Sequence, residues 1–156
     1  MNESPKVLVM TVGLPRSGKS TWARTTGLPI VNPDSIRLAI HGKPFIGLAE
    51  PFVWATAKAM VRALFLAGHD RVVLDATNTT EKRRAEWASP AWSREFVVFD
   101  TDPETCRQRA LVTCGDDGEW DGLLKAIERM HNNWEPPSGS EWTIYTPEGY
   151  DHLHRS

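Results

Sequence analysis

Along this chain, short unbroken apolar runs alternate with longer segments in which apolar residues return every three or four positions. Residues 6–12, KVLVMTV, are the first short run, and it stops at Gly13. Apolar residues without polar alternation predict a β-strand covered on both faces. Residues 19–27, KSTWARTTG, are helix formers closed by Gly27 as a C-cap. LPIV predicts a second short strand, and NPDSIRLAIHG a helix of about two turns with Asp34 at or near its start. The longest periodic segment runs from Leu48 to Ala67. There Val53, Ala57, Met60, Val61 and Leu64 fall on one face, and Gly68 ends it. RVVLDAT reads as a strand ending at Asp75, TTEKRRAEWA as a charged helix begun by Thr79 or Thr80, and EFVVFD as a further strand. PETCRQRALV is a helix with Pro103 in its first turn. After the acidic stretch CGDDGEWDG, Leu124, Ile127 and Met130 mark another helix. In the Pro-, Gly-, Ser- and Trp-rich tail, EWTIY predicts a short edge strand.

Strands alternating with helices imply an α/β fold with a mostly parallel sheet, and 156 residues suit a single domain, 1–156. Composition changes this little: 40% of residues are hydrophobic and 24% charged, an ordinary balance. The formal charge of -2 matters more. It argues against coating long nucleic acid, which needs a basic excess, but leaves room for gripping the last one or two nucleotides of a strand. Cys106 and Cys114 have no partners at zinc spacing, so reduced thiols in a cytosolic protein are expected. MNESPKVLVMTVG lacks the basic start and long apolar region of a signal peptide, and no run approaches membrane length. The expectation is a soluble, cytoplasmic chain with no membrane partner.

The chemistry begins at GLPRSGKST, residues 13–21. Gly13, Gly18, Lys19 and Ser20 match the phosphate-loop pattern G-x-x-x-x-G-K-[ST], which average composition produces in about one chain in two hundred of this length. Here it also follows a buried strand and opens a helix, as its mechanism demands. The glycines let backbone N–H groups turn inward around phosphates, and the helix N-terminus adds positive potential. Gly13, Leu14, Pro15, Arg16, Ser17, Gly18, Lys19, Ser20 and Thr21 thus form the nucleotide-binding set. Within it Lys19 reaches the outer phosphates, and the Ser20 hydroxyl is a Mg²⁺ ligand. Asp75, at a strand end, falls beside the loop, where it steers Mg²⁺ or its waters, or else caps a helix. Ala76 follows it where hydrolytic motors commonly place a water-activating glutamate, which weighs against ATP hydrolysis as the purpose.

Transfer to an acceptor hydroxyl needs a base and cations on the moving phosphoryl group. Asp34 in NPDSIR is the best-placed base, although a helix cap is the commoner use of such a residue. Arg37 shares its helical face three residues on.

GLPRSGKSTWAR, NPDSIR, DATNTTEKRR and RMHNNWEPP, in this order, resemble the kinase module of phage-type polynucleotide 5′-hydroxyl kinases and their small P-loop relatives. The resemblance extends to about Pro137. It implies an adenylate-kinase-like P-loop NTPase fold with a short lid at about 113–120, ATP with Mg²⁺ as donor, and transfer to a 5′-OH. It also implies that Asp34 is the general base, that Arg37 holds the acceptor's phosphate, and that Thr77 and Asn78 line the acceptor channel. For Thr77 and Asn78, turn and capping chemistry is the alternative. Lys82, Arg83 and Arg84 read as a solvated helix face.

Two features depart from the family pattern. The lid usually carries two arginines four apart; Arg109 fits the first position, but Thr113 stands at the second. Arg109 is the catalytic candidate, with Arg107 and Arg16 as substitutes. The lid is acidic, with Asp116, Asp117 and Glu119, which repels a long polyanion. Among seven tryptophans, Trp54 reads as core, while Trp87, Trp92, Trp120 and Trp134 are either ordinary packing or a base-stacking surface. His152 and His154 are expected in a frayed tail. The leading function is an ATP-dependent kinase acting on a nucleic acid or nucleotide hydroxyl. The alternatives are a nucleoside, metabolite or antibiotic kinase, and a nucleotide-binding module without phosphotransfer.

Overall fold

The computed structural model describes residues 4–42, 46–114, 119–138 and 143–154, with the side chains of Cys114, Glu119 and Trp120 left out. Five strands form one parallel sheet: β1 (Val7–Val12), β2 (Ile30–Val31), β3 (Arg71–Leu74), β4 (Ser93–Val98) and β5 (Thr143–Tyr145), ordered β2-β3-β1-β4-β5. The helices are α1 (Lys19–Thr25), α2 (Pro33–His41), α3 (Glu50–Leu66), α4 (Glu81–Ala85), α5 (Pro103–Cys114), α6 (Glu119–Asn132) and α7 (Pro147–His154). A short 3-10 turn, Gly47–Ala49, precedes α3. The alternation of runs predicted such a parallel α/β sheet, and the arrangement is the P-loop NTPase fold that the family resemblance implied. No helix among the described residues is long and apolar enough to cross a membrane.

β1 is buried throughout because helices cover both of its faces. Leu8, Met10 and Val12 pack with Ile36, Val53, Ala57, Val61, Trp87 and Phe96, whereas Val7 and Val9 pack with Trp22, Phe99 and Tyr150. Alternate residues of one strand thus feed two separate cores, which is why the run needed no polar positions. A third cluster joins Leu14 of the phosphate loop to Cys106, Ala110 and Ile127, fixing α5 and α6 against the loop.

Several details differ from the sequence reading. The buried line of α3 is Val53, Ala57, Val61 and Phe65, a strict four-residue stride; Met60 is exposed and Leu64 only half-buried. Trp87 and Trp92 are buried in the core, so they offer no stacking surface, and Trp54 and Trp134 are half-buried beside them. The tail is not frayed where His152 and His154 lie. They belong to α7, whose Tyr150 is buried against Trp22 and receives a hydrogen bond from Arg71 at 3.1 Å. Arg84 is not solvated: it is 2% exposed and donates to the carbonyls of Asn78 (2.8 Å) and Glu135 (2.6 Å). Of the expected lid, residues 115–118 lie outside the described residues, Asp116 and Asp117 among them; Trp142, at the start of the tail strand, does too.

Candidate phosphate-transfer site

The site sits at the carboxyl ends of β1 and β3, where a doubly wound sheet leaves a crevice for ligands. The loop leaving β1 is tightly folded. A Cβ placed on Gly13 would lie 2.6 Å from Ser17 Oγ and 2.9 Å from Phe99 Cβ, so only glycine fits. Gly18, the residue before α1, has φ 105°, a left-handed conformation that also favours glycine. Leu14 anchors the loop below, and the Ser17 carbonyl accepts from Thr101 Oγ1 at 2.8 Å. Pro15 is half-buried, while Arg16, with φ 67°, and Thr21 face solvent.

Lys19 folds back over the loop, donating to the Leu14 carbonyl and to Ser17 Oγ. It is 7% exposed, and burial, opposed by the Asp75 charge, lowers its pKa from 10.5 to about 8. A buried ammonium held mainly by neutral oxygens lacks the full charge compensation that polyphosphate supplies. Ser20 Oγ donates to Asp75 Oδ2 at 2.7 Å, and Asp75 is itself buried. This all-oxygen pair fits Mg²⁺, which takes one or two protein ligands and completes its shell with phosphates and water. Asp75 caps no helix.

Asn32 joins this pair to the start of α2. Its Nδ2 donates to Asp75 Oδ2 at 3.0 Å, while its Oδ1 accepts from the backbone N–H of Asp34 (2.8 Å) and Ser35 (3.3 Å). Asn32 is therefore the N-cap of α2, and Asp34 is not. The Asp34 side chain is left 78% exposed and pairs with Arg37 Nη1 at 2.6 Å. Arg37 also grips Glu50 through Nε (2.9 Å) and Nη2 (2.6 Å). Burial opposes its charge, yet the Glu50 and Asp34 carboxylates outweigh burial and hold its pKa above the ordinary value.

The remaining candidates separate. The Thr77 carbonyl accepts from Gly13 N at 2.9 Å, tying the segment after β3 to the phosphate loop. Asn78 is fully buried with φ 47°, and its Nδ2 holds the Thr11 carbonyl at 2.9 Å, a turn and packing role. Arg109 reaches from α5 to the loop: Nη1 donates to the Arg16 carbonyl at 3.1 Å and lies 4.0 Å from a Cβ built on Gly18. Arg107 instead pairs with Glu104 on its own helix at 2.9 Å. Sequence reasoning missed Asn32 and Glu50. The NP pair ahead of an apolar period signalled the first as a cap; nothing local signalled the second.

A family profile described as an AAA domain matches residues 8–137. The chain belongs to that family. The solved structure of a Pnkp1/Rnl/Hen1 complex superimposes with a TM-score of 0.63 at 28% identity, covering 75% of this chain and 44% of the other. A Pnkp1/Rnl/Hen1 RNA repair complex gives 0.63 at 19% identity, with 86% and 48% covered. A sugar kinase from Janibacter sp. HTCC2649 gives 0.57 at 19% identity, with 93% and 86% covered. The chain thus spans less than half the length of the matched chains in those two complexes. The fold of this AAA-domain protein is that of small P-loop kinases.

Proposed function

We propose that this chain is a phosphotransferase that moves the γ-phosphate of ATP to a hydroxyl, with the 5′-OH of a DNA or RNA end as acceptor. The observation that carries the reading is the Asn32 bridge. One side chain locks the metal-steering carboxylate Asp75 and the N-terminus of the helix bearing Asp34 into a single unit. An exposed, arginine-paired carboxylate on the helix that Asn32 ties to Asp75 suits a base for transfer, which a nucleotide-binding module without phosphotransfer does not need.

In the proposed reaction the acceptor oxygen attacks the γ-phosphorus while Asp34 takes its proton. The bond to the β–γ bridging oxygen breaks, and ADP leaves with that electron pair. Lys19 and the inward-facing loop N–H groups stabilise charge on the outer phosphates. Bound Mg²⁺, held through Ser20 and steered by Asp75, would neutralise the developing charge on the β- and γ-oxygens. Arg109, already over the loop, is the arginine placed to meet the transferring group.

Incubating the protein with labelled ATP and Mg²⁺ alongside 5′-OH oligonucleotides, nucleosides and a metabolite panel tests the reading. Label is expected on the oligonucleotides; label confined to a metabolite overturns the nucleic acid assignment while leaving the kinase. A second reading, a small-molecule kinase, is favoured by a cavity of about 460 Å³. Ser20, Asn32 and Asp75 stand in its wall together with the apolar side chains of Ile36, Ile40 and Met60.

The two arginines of α5 make separable predictions. Arg109→Ala should lower kcat by roughly 10²-fold with little change in KM for ATP, the pattern of a contact made mainly in the transition state. Arg107→Ala should change kcat less than threefold, since its guanidinium is engaged by Glu104. Steady-state kinetics on both variants decide this, and equal small effects would reassign the role to Arg16.

A further inference from the structure

Two guanidiniums converge on one indole at the acceptor side. Arg83 Cζ lies 4.5 Å from the centroid of a Trp54 ring, and Arg37 Cζ lies 5.8 Å from it. The two arginines come from different helices, α4 and α2, and Trp54 from a third, α3. Each guanidinium is held by the negative face of the ring, and what distinguishes the two is how firmly carboxylates engage them. Arg37 is compensated: its side chain is 14% exposed and bound to Asp34 and Glu50. Arg83 is not comparably engaged. Its ion pair with Glu86 is 3.2 Å long with both side chains about two-fifths exposed, a pair of little net stability that an incoming anion displaces easily.

The placement of Arg83 follows from its neighbour. Buried Arg84 pins α4 to the Asn78 and Glu135 carbonyls, so the next position round the helix must point elsewhere. It meets Trp54. The α4 helix also begins directly after the segment whose Thr77 carbonyl receives the phosphate-loop Gly13 N–H. Trp54 thus brings Arg83 of α4 beside Arg37 of α2, the residue that pairs with Asp34.

We infer that Arg83, braced on Trp54, is a second phosphate-binding residue for the acceptor, one nucleotide beyond the phosphate assigned to Arg37. The inference rests on the proposed nucleic acid acceptor and narrows it. The substrate is a 5′-OH strand of at least three nucleotides, rather than a nucleoside or a mononucleotide. Arginine suits the task because its planar fork binds phosphate through paired N–H groups while its face stays stacked on the indole. A chain with a net charge of -2 then needs only this local pair of cations to hold a strand end.

The test compares a nucleoside 3′-phosphate, which offers one phosphate, with a trinucleotide, which offers two. Arg83→Gln is expected to raise KM for the trinucleotide about tenfold, and for the nucleoside 3′-phosphate less than threefold, at unchanged kcat. The slope of log KM against log salt for the trinucleotide should fall by about 0.7, the value for one phosphate contact on a single strand. Arg83→Lys should recover the salt slope but only part of the affinity. Equal effects of Arg83→Gln on both acceptors, or none, overturn the inference and leave the kinase reading intact. If the wild type phosphorylates neither acceptor but labels a metabolite, the nucleic acid reading and this inference fall together.

Discussion

Lys19→Ala is expected to reduce phosphate transfer by at least 10²-fold, because the variant loses a fixed, buried positive charge aimed at the outer phosphates. Arg109 reaches the loop from outside and cannot enter the position that Lys19 fills beside Leu14 and Ser17. Proton linkage supplies a second readout. In the nucleotide-free protein burial lowers the Lys19 pKa to about 8, so near pH 9 its amine is largely neutral. Polyphosphate favours the charged form, and nucleotide binding at that pH should take up nearly one proton in the wild type and none at this site in Lys19→Ala. Calorimetry in buffers of different ionisation enthalpy measures it. Because the folded pKa lies below the unfolded 10.5, the unfolded chain holds more protons between the two values. The Lys19 contribution to stability of the nucleotide-free protein should therefore rise as pH climbs from about 8 toward 10.5, read as the difference between wild type and Lys19→Ala. Wild-type turnover in Lys19→Ala would remove the phosphate-loop assignment.

Asp34→Asn should cut transfer by roughly 10²- to 10⁴-fold while leaving thermal stability and ATP affinity near wild type. The structure strengthens this separation, since Asn32 caps α2 and the Asp34 carboxylate is free of that duty. Asparagine keeps the size of the side chain and an oxygen that can accept from Arg37, while losing the basicity and the charge of that ion pair. Normal transfer by Asp34→Asn would sink the mechanism. Arg37→Ala is a poorer probe of acceptor binding, because it strands the partly buried Glu50 carboxylate as well as removing a phosphate contact. Any rise in KM would mix both causes.

The phosphate loop was legible in the sequence because its residue spacing is local, even though part of the need for Gly13 comes from distant Phe99. Gly13 is needed where a Cβ would strike Ser17 and Phe99, Gly18 where φ is positive, and Lys19 and Ser20 one and two residues further on. The strand-helix alternation was legible for a related reason, since a strand covered on both faces leaves an unbroken apolar run. The candidate acceptor side was legible only as residue types. Asp34 and Arg37 could be named from NPDSIR, but Glu50, which fixes the Arg37 guanidinium, arrives from 13 residues away through the start of α3. Arg83 and Arg84 look alike in KRR, yet one is buried under two carbonyls and the other lies over Trp54.

By itself, then, the sequence determined the phosphate loop and the order of strands and helices, and it named the pair of residues proposed for an acceptor. Backbone conformation and hydrophobic periodicity are set within a few residues, and both can be read along the chain. Only the tertiary structure decided that Asn32 ties Asp75 to the helix carrying Asp34, that Arg109 rather than Arg107 reaches the loop, and that Trp87 and Trp92 are core. Each of those outcomes depends on which face of one element meets which face of another. Burial and partner choice belong to that packing, because the cost of an unpaired polar group or an exposed indole is set by neighbours distant in sequence.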